Sequence, residues 1–288
     1  METLLKPLKK DLTELFNNDV IECAKDLKTN VCFSDISDNQ IPMYFTGKYD
    51  AKTVFVMLNP GGASQNCYSF AKCDKFKYND LNQFFDIHIK EHIEYGKIDC
   101  GRMDNFDLKQ AAFLYAFEDS GLDIVDFFQE SKDEKKLKLS AKENVLMNKL
   151  QLELIPYRSS AFRGMLDTPK KASENINKIM PHIERVLDAI LQFDRKYVIF
   201  GAKQFYNLFN AIPENANIKI ELGTEKTFEI TDLKNNVNVN TVSITYKNKK
   251  INALIPYSFP RQDLPNAYSK MKQYGKFCYD ELNIRFSK

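Results

Sequence analysis

Residues 54–64 read Val54-Phe55-Val56-Met57-Leu58-Asn59-Pro60-Gly61-Gly62-Ala63-Ser64, an apolar run that breaks abruptly into Asn-Pro-Gly-Gly. A run of this kind, rich in β-branched and aromatic residues, is typical of a central parallel strand buried on both faces. The proline and glycines end the strand and bring bare backbone close to any ligand bound there. Ligands of open α/β sheets bind beyond the carboxyl ends of the strands, which predicts that Asn59 lies at the mouth of a pocket. The alternative is an ordinary turn in which Asn59 bonds its own backbone.

Three further segments resemble buried strands, at 150–156, 197–201 and 251–256, and helical periodicity separates them. Alternating strands and helices favour a parallel sheet covered on both faces. We therefore predict one domain over 1–288, an α/β protein built as a three-layer α/β/α sandwich around a central four-stranded parallel sheet. Residues 1–45 are predicted to form an N-terminal helical extension and residues 50–285 the α/β core. Strand-like residues at 228–246, with a turn at Asn235-Asn236, predict a β-hairpin insertion.

Composition sets few limits on the function. The chain has 288 residues and a formal net charge of +2, which neither requires nor forbids a nucleic-acid partner. Its six cysteines include no Cys-x-x-Cys pair, so we expect reduced thiols, no metal and no cofactor. The N-terminus is rich in lysine and has no apolar signal segment, and no run is long enough to span a membrane. A cytoplasmic monomer with no membrane partner is the simplest expectation.

Polar and aromatic residues follow three of the four predicted strands. They read Asn59-Pro60-Gly61-Gly62, Ile155-Pro156-Tyr157-Arg158 and Pro256-Tyr257-Ser258-Phe259-Pro260-Arg261. The carboxyl ends of parallel strands meet at one edge of a sheet, so these groups are expected to converge there. The three histidines fall on helical patterns instead, and no nucleophile–base dyad is indicated. The predicted pocket therefore offers hydrogen bonding and stacking.

The first and last of these segments resemble the two motifs of the uracil-DNA glycosylase superfamily. Asn59-Pro60-Gly61 after an apolar strand is similar to the Gly-(Met/Ile)-Asn-Pro-Gly motif of its mismatch-specific and single-strand-selective monofunctional branches. The segment from Tyr257 to Gln262 resembles the second motif, His-Pro-Ser-Pro-Arg-Asn, with the prolines and arginine in register. Leu154-Ile155-Pro156 lies where the family has a base-reading segment. The resemblance covers roughly residues 50–285.

The resemblance implies a uracil-DNA-glycosylase-like fold and excision of a flipped base from single- or double-stranded DNA, in DNA repair or in restricting foreign DNA. By that resemblance Asn59 orients the attacking water, and Tyr257 takes the place of the second catalytic residue. The residues implied to bind the base are Pro60, Gly61, Gly62, Tyr68, Phe70, Glu153 and Pro156. Those implied to contact DNA are Arg158, Ser258, Phe259, Pro260, Arg261 and Gln262, with Phe259 as a wedge in the duplex.

Two departures from the family pattern bear on the substrate. Tyr257 replaces the histidine that stabilises the departing base, and losing such a donor typically costs about 2.7–4 kcal/mol. Glu153 stands near the position of the base-reading asparagine. A carboxylate accepts hydrogen bonds from an exocyclic amine, so Glu153 favours an amino-bearing or modified base over plain uracil. Alternatively, the alignment is shifted by one or two residues and Glu153 points elsewhere.

Three functions remain open from the sequence. The first is an active DNA glycosylase, a monofunctional hydrolase acting on N-glycosyl bonds. The second is the same fold without catalysis, binding nucleic acid or a protein. The third is an unrelated α/β enzyme that holds a phosphate at the turn after Asn59.

Overall fold

The computed structural model describes residues 2–30, 36–60, 78, 80–94, 105–121, 148–159, 166–214, 216–229, 237–257 and 268–286. The helices in these ranges are α1 Glu2–Asn18, α2 Glu22–Asn30, α3 Leu81–Ile93, α4 Asn105–Phe113, α5 Pro169–Leu191, α6 Lys203–Asn210 and α7 Tyr268–Phe286. The strands are β1 Phe45–Gly47, β2 Thr53–Met57, β3 Lys149–Glu153, β4 Tyr197–Phe200, β5 Ile218–Leu222, β6 Lys226–Phe228, β7 Val237–Tyr246 and β8 Lys249–Pro256. The chain is a mixed α/β protein.

All the named strands belong to one sheet, ordered β1-β3-β2-β4-β8-β7-β5, with β6 also paired to β7. The four central strands β3, β2, β4 and β8 run parallel, while the outer pairings are antiparallel. Thus β2, β3 and β8, the strands followed by the distinctive segments, end at the same edge of the sheet. We call this the carboxyl edge.

Helices pack on both faces of the sheet, and the alternation of side chains along the strands explains why. Val54 and Val56 of β2 belong to a core cluster shared with α1, α2, α5 and α6. Phe55 and Met57 of the same strand belong to a second cluster shared with α4 and α7. Successive side chains of a strand point to opposite faces, so a continuous apolar run requires a cover on each side. No helix in the described ranges is both long and apolar enough to cross a membrane.

Several sequence predictions are confirmed. The four core strands occur in the predicted order, and α3 spans the predicted residues. Thr168 caps α5 by accepting a hydrogen bond from the Lys171 amide, and Pro169 opens the helix, as its chemistry predicts. The predicted N-terminal helix is instead two helices, because Asp19 adopts a positive φ of 58° between them.

The predicted β-hairpin corresponds to β6 and β7, which are consecutive in the chain and pair antiparallel, but it extends the main sheet. The ten-residue strand β7 pairs antiparallel with β8 and extends the main sheet, which β5 and β6 then continue. Lys247 and Asn248 form the turn between β7 and β8, both with positive φ, as a tight two-residue hairpin requires. The turn predicted at residues 235–236 lies outside the described residues. The parallel quartet is therefore the centre of a larger mixed sheet.

Candidate functional site

Asn59 and Glu153 lie on neighbouring strands at the carboxyl edge. Met57 of β2 is the register partner of Glu153 on β3, and Asn59 follows two residues after Met57. The pairing continues past the strands, since the Leu154 amide donates to the Met57 carbonyl and the Ile155 amide to the Leu58 carbonyl. Adjacent strands are about 4.8 Å apart, so both side chains start from the same short stretch of this edge.

The Asn59 side chain has a fixed orientation. Its Nδ2 donates to Ser159 Oγ at 2.7 Å and to the Pro60 carbonyl at 3.1 Å, and the Tyr157 carbonyl lies 3.5 Å away. Carbonyl oxygens only accept hydrogen bonds, so the nitrogen must face them. Among the described residues no group donates to Oδ1. The bond to Pro60 is the local contact that the ordinary-turn alternative foresees, but the bond to Ser159 spans 100 residues of sequence.

The loop 156–159, which supplies two of these acceptors, is held by residues near the N-terminus. The Met43 amide donates to the Pro156 carbonyl at 2.7 Å, and the Ser37 amide donates to the Arg158 carbonyl at 2.8 Å. Ser159 is buried and forms an isolated antiparallel bridge with Ile36. Its own amide donates to the Pro60 carbonyl. Backbone hydrogen bonds to Pro60 on one side and to the N-terminal segment on the other therefore hold the loop in place.

A chain of buried polar side chains runs along the α4-facing side of β3 and ends at Glu153. We call it the Glu153 chain. It joins Asp107, Lys149, Gln110, Gln151 and Glu153. Lys149 Nζ lies 2.6 Å from Asp107 Oδ1 and also donates to Gln110, which in turn donates to Gln151 Oε1 at 3.1 Å. Gly275 of α7 allows α7 to pack closely on α4, because a Cβ there would lie 1.9 Å from the Phe113 carbonyl of α4.

Glu153 ends this chain with one oxygen bonded and the other without a partner. Gln151 Nε2 donates to Glu153 Oε1 at 2.8 Å, whereas the buried Oε2 has no hydrogen-bond partner in the described part of the chain. Burial raises the pKa of Glu153 to about 8, against the opposing effects of the Gln151 amide and the charges of Arg158, Arg185 and Lys149. At neutral pH the carboxyl is therefore uncharged. Since Oε1 accepts a bond, the proton belongs on Oε2, which makes Oε2 a donor.

A second buried carboxyl group, Asp11 of α1, lies on the opposite face and contacts the same loop. Tyr44 donates to Asp11 Oδ2 at 2.7 Å and Tyr157 donates to it at 3.0 Å, and we call these three residues the Asp11 network. Burial raises the pKa of Asp11 to about 6, although both hydroxyls lower it. At neutral pH this carboxyl group is thus ionised. Two hydroxyl donors to one carboxylate are the environment in which a buried charge is stabilised.

Arg185 of α5 links the two carboxyl groups through the backbone. It is part-buried, and its Nη2 donates to the carbonyls of Glu153 and Leu154 at 2.6 and 2.7 Å. Its guanidinium also lies over the Tyr44 ring, 4.6 Å from the centroid. Arg185 therefore fixes the end of β3, from which Glu153 projects to one face and loop 156–159 continues.

The structure brings together five of the predicted site residues and separates one. Asn59, Pro60, Glu153, Pro156 and Arg158 share the carboxyl edge, and Arg158 lies close enough for its charge to lower the pKa of Glu153.

The separated residue is Tyr257, which ends β8 at the same edge but whose side chain lies in the core layer with α6, opposite Glu153. Its ring centroid is 5.7 Å from that of Tyr206, and its buried hydroxyl has no hydrogen-bond partner within the residues that the structure describes. Burial, and next the Glu225 carboxylate, raise the pKa of Tyr257. The alternation of β8 thus turns Tyr257 to the face opposite Glu153, and its catalytic role stays a prediction.

The remaining predicted site residues lie outside the described residues. They are Gly61, Gly62, Tyr68, Phe70, Ser258, Phe259, Pro260, Arg261 and Gln262. Two cavities found in the described part of the chain lie elsewhere. One, of about 650 Å³, is at the amino ends of β4 and β8, and the other, of about 460 Å³, lies beside β5 and β7. The described ranges contain no group of three or more side chains suited to hold a metal ion.

Three residues that matter to this geometry were not in the predicted site: Ser159, Asp11 and Tyr157. Ser159 and Tyr157 flank the predicted Arg158, so their place in the loop was a usable signal. Asp11 lies 146 residues from its partner Tyr157, and no local pattern indicates that contact.

Comparison with known proteins adds no relative: no protein-family model, curated protein or solved structure matches this chain.

Proposed function

We propose that this protein is a DNA glycosylase that hydrolyses the N-glycosidic bond of a flipped base carrying a keto oxygen, with uracil as the simplest case. One observation carries the proposal. Asn59 is held with its amide oxygen free of described donors, on the strand next to a buried carboxyl group, Glu153, that has an unpartnered oxygen. Unsatisfied buried polar atoms are rare in folded proteins, and one at the carboxyl edge of a parallel sheet is well placed for a ligand.

Asn59 supplies the position of the nucleophile. With Nδ2 bonded to Ser159, Oδ1 is the atom that accepts a hydrogen bond from water and directs the water lone pair toward C1′. The water oxygen forms a bond to C1′ while the C1′–N bond breaks and its electron pair leaves on the base. The proton lost by the water ends on the departing base, through solvent, so the products are a C1′ hydroxyl and a neutral free base. Because the sugar passes through an oxocarbenium-like state, a positioned water suffices without a strong base.

Glu153 supplies recognition and stabilisation of the leaving base. The neutral acid donates from Oε2, so it pairs with a keto oxygen and not with an exocyclic amine. An ionised Glu153 would accept a hydrogen bond from an exocyclic amine. The neutral acid therefore changes the expected substrate from an amino-bearing base to a keto-bearing base. Negative charge grows on the keto oxygen as the bond breaks, which strengthens the hydrogen bond in the transition state. A donor used in this way is typically worth about 2.7–4 kcal/mol. Glu153 can thus serve the role left vacant by the histidine that Tyr257 replaces.

The architecture is compatible with this assignment. Four parallel strands with helices on both faces, and the two motif segments ending at one edge, support a uracil-DNA-glycosylase-like three-layer arrangement. Arg158, part-buried beside Glu153, is placed to contact a DNA phosphate. The combination of the Asn59 motif with this edge is what favours DNA as the partner.

A second candidate is a binding protein of the same fold that does not cleave. The specific observation in its favour is the placement of Tyr257, whose hydroxyl is buried on the opposite face and does not supply the missing donor. Under this alternative, modified DNA binds at the carboxyl edge and remains intact.

The test uses oligonucleotides that carry uracil, hypoxanthine, 5-methylcytosine or unmodified bases, as single strands and as duplexes. Incubation followed by alkali should break the strand at uracil and hypoxanthine, which present a keto oxygen at C4 or C6, and spare cytosine and its methylated form, which carry an amino group at C4. Asn59→Ala should lower the single-turnover rate by about 10²–10³-fold or more, the size of a lost transition-state contact, while DNA binding persists. Binding without strand breaks in wild type would favour the second candidate, and full activity in Asn59→Ala would remove Asn59 from the reaction.

A further inference from the structure

Every residue of loop 156–159 is held by a residue from the first 45 positions of the chain. Met43 bonds Pro156, Asp11 bonds the Tyr157 hydroxyl, Ser37 bonds Arg158, and Ile36 bridges Ser159. We call residues 2–30 and 36–44 the N-terminal brace. Four contacts on four consecutive residues leave the loop few alternative conformations.

The brace is itself firmly anchored. Asp11 is buried, and α1 places Leu4, Leu8, Leu12 and Leu15 in the core cluster that includes residues of β2 and α5. Tyr44, the other donor to Asp11, is buried beneath the Arg185 guanidinium. Each element is therefore tied to the sheet independently of the loop. A buried hydrogen bond from such an anchor restrains the loop in a way that a surface contact does not.

Ser159 transmits this restraint to Asn59. Its buried Oγ is the nearest of the three acceptors around Asn59 Nδ2. The distance is 2.7 Å, compared with 3.1 Å to the Pro60 carbonyl and 3.5 Å to the Tyr157 carbonyl. The Pro60 carbonyl lies in the same turn as Asn59, so it moves with Asn59 and cannot fix it relative to the sheet. Ser159 is the strong contact from outside that turn. Without it, Nδ2 would keep only the contact within its own turn and the long contact to the Tyr157 carbonyl, so the amide would be held less firmly.

We infer that Ser159 is a positioning residue for Asn59 and that the N-terminal brace, through Asp11 and Tyr157, holds Ser159 in place. This inference rests on the proposed function, because it assigns a catalytic purpose to the fixed direction of Oδ1. The N-terminal segment then serves the active site by holding the loop that orients Asn59.

Three variants separate positioning from general stability. Ser159→Ala removes the acceptor, Tyr157→Phe removes the hydroxyl that binds Asp11, and Tyr49→Phe is the matched control. Tyr49 also donates a side-chain hydrogen bond across the fold, to Gln192. It follows the end of β1 at the amino edge of the sheet, where β1 pairs with β3, away from Asn59. The Tyr157 and Tyr49 variants each lose one hydroxyl and nothing else.

The readouts are kcat, KM and the exchange protection of the Asn59 side-chain amide protons by NMR. Ser159→Ala should lower kcat about tenfold, the effect of one net hydrogen bond, with KM unchanged. Tyr157→Phe should lower kcat about threefold, and Tyr49→Phe should leave it at the wild-type value. Amide protection should fall in the first two variants only. Wild-type kcat in Ser159→Ala, or equal losses in Tyr157→Phe and Tyr49→Phe, would overturn the inference.

The amide measurement needs no catalysis, so the inference and the proposed function fail separately. Inactive wild type would refute the glycosylase proposal. Unchanged Asn59 protection in both Ser159→Ala and Tyr157→Phe would refute the positioning role, whether or not the wild type is active. If Ser159→Ala does not fold, Tyr157→Phe against Tyr49→Phe decides the question alone.

Discussion

Two buried carboxyl groups flank the end of β3, and they differ in how their hydrogen bonds are completed. Asp11 accepts two tyrosine hydroxyls and has a pKa of about 6, whereas Glu153 accepts one amide and has a pKa of about 8. At neutral pH the first is an anion and the second a neutral acid. Pairs of acids pushed apart in this way are a recurrent feature of active sites.

The difference indicates separate roles for the two regions. In the Asp11 network both tyrosine hydroxyls donate to the same carboxylate, which connects three chain segments. This arrangement is typical of a structural role. The Glu153 chain begins at a buried ion pair and ends in an oxygen with no partner, which suits recognition of a ligand. An unsatisfied buried polar group costs a protein about 1–3 kcal/mol of stability. The presence of such a group, Glu153 Oε2, at the carboxyl edge therefore favours a role in binding a ligand.

The largest effect is expected where the Glu153 chain begins. Lys149→Met leaves the buried Asp107 carboxylate without its 2.6 Å partner, and we expect the free energy of unfolding to fall by about 3–5 kcal/mol. The matched control is Lys276→Met, which breaks an exposed pair with Asp280 and should cost under about 0.5 kcal/mol. Urea unfolding of both variants measures the difference. Similar small losses in the two variants would show that the Lys149–Asp107 ion pair does not stabilise the buried end of the Glu153 chain.

The Asp11 network predicts a smaller, pH-dependent effect. The pKa of Asp11 rises from 3.8 to about 6 on folding, so its contribution to stability is present below about pH 4 and lost as pH rises through 6. The loss amounts to about 3 kcal/mol. Tyr44, Tyr157 and Cys23 surround Asp11, with Glu14, Lys10 and Arg185 as the neighbouring charges.

Asp11→Asn removes this titration and should lessen the slope of the stability profile between pH 4 and 6, as measured by urea unfolding at several pH values, leaving the part of the slope that Glu153 contributes above about pH 4.5. Asp280→Asn, at an exposed position, serves as the control and should keep the wild-type slope. A wild-type slope in Asp11→Asn would mean that Asp11 titrates as it does in the unfolded chain, and the contrast between the two carboxyl groups would disappear.

The comparison also shows what a sequence can and cannot convey about this molecule. The apolar run of β2 and the break at Asn59-Pro60 correctly predicted the central strand and its end at the carboxyl edge. A strand buried on both faces needs a continuous run of apolar residues, which can be recognised in the local sequence. Glu153 was placed at the right edge, but its ionisation depends on Gln151, on α4 and on burial, which are tertiary properties. For the same reason the facing of Tyr257 and the bond from Tyr157 to Asp11 were out of reach. The extra strands β5 to β7 were missed as parts of the main sheet because antiparallel pairing with β8 leaves no local signature.

The most direct test of the account is the pH dependence of single-turnover excision from a uracil oligonucleotide, measured from pH 6 to 10 for wild type and Glu153→Gln. The neutral acid donates only below its pKa, so the wild-type rate should be level up to about pH 8 and then fall about tenfold per pH unit. Glutamine keeps a donor at every pH, so Glu153→Gln should remain active with a level profile. Superimposable profiles for the two proteins, or no excision by either, would contradict the account.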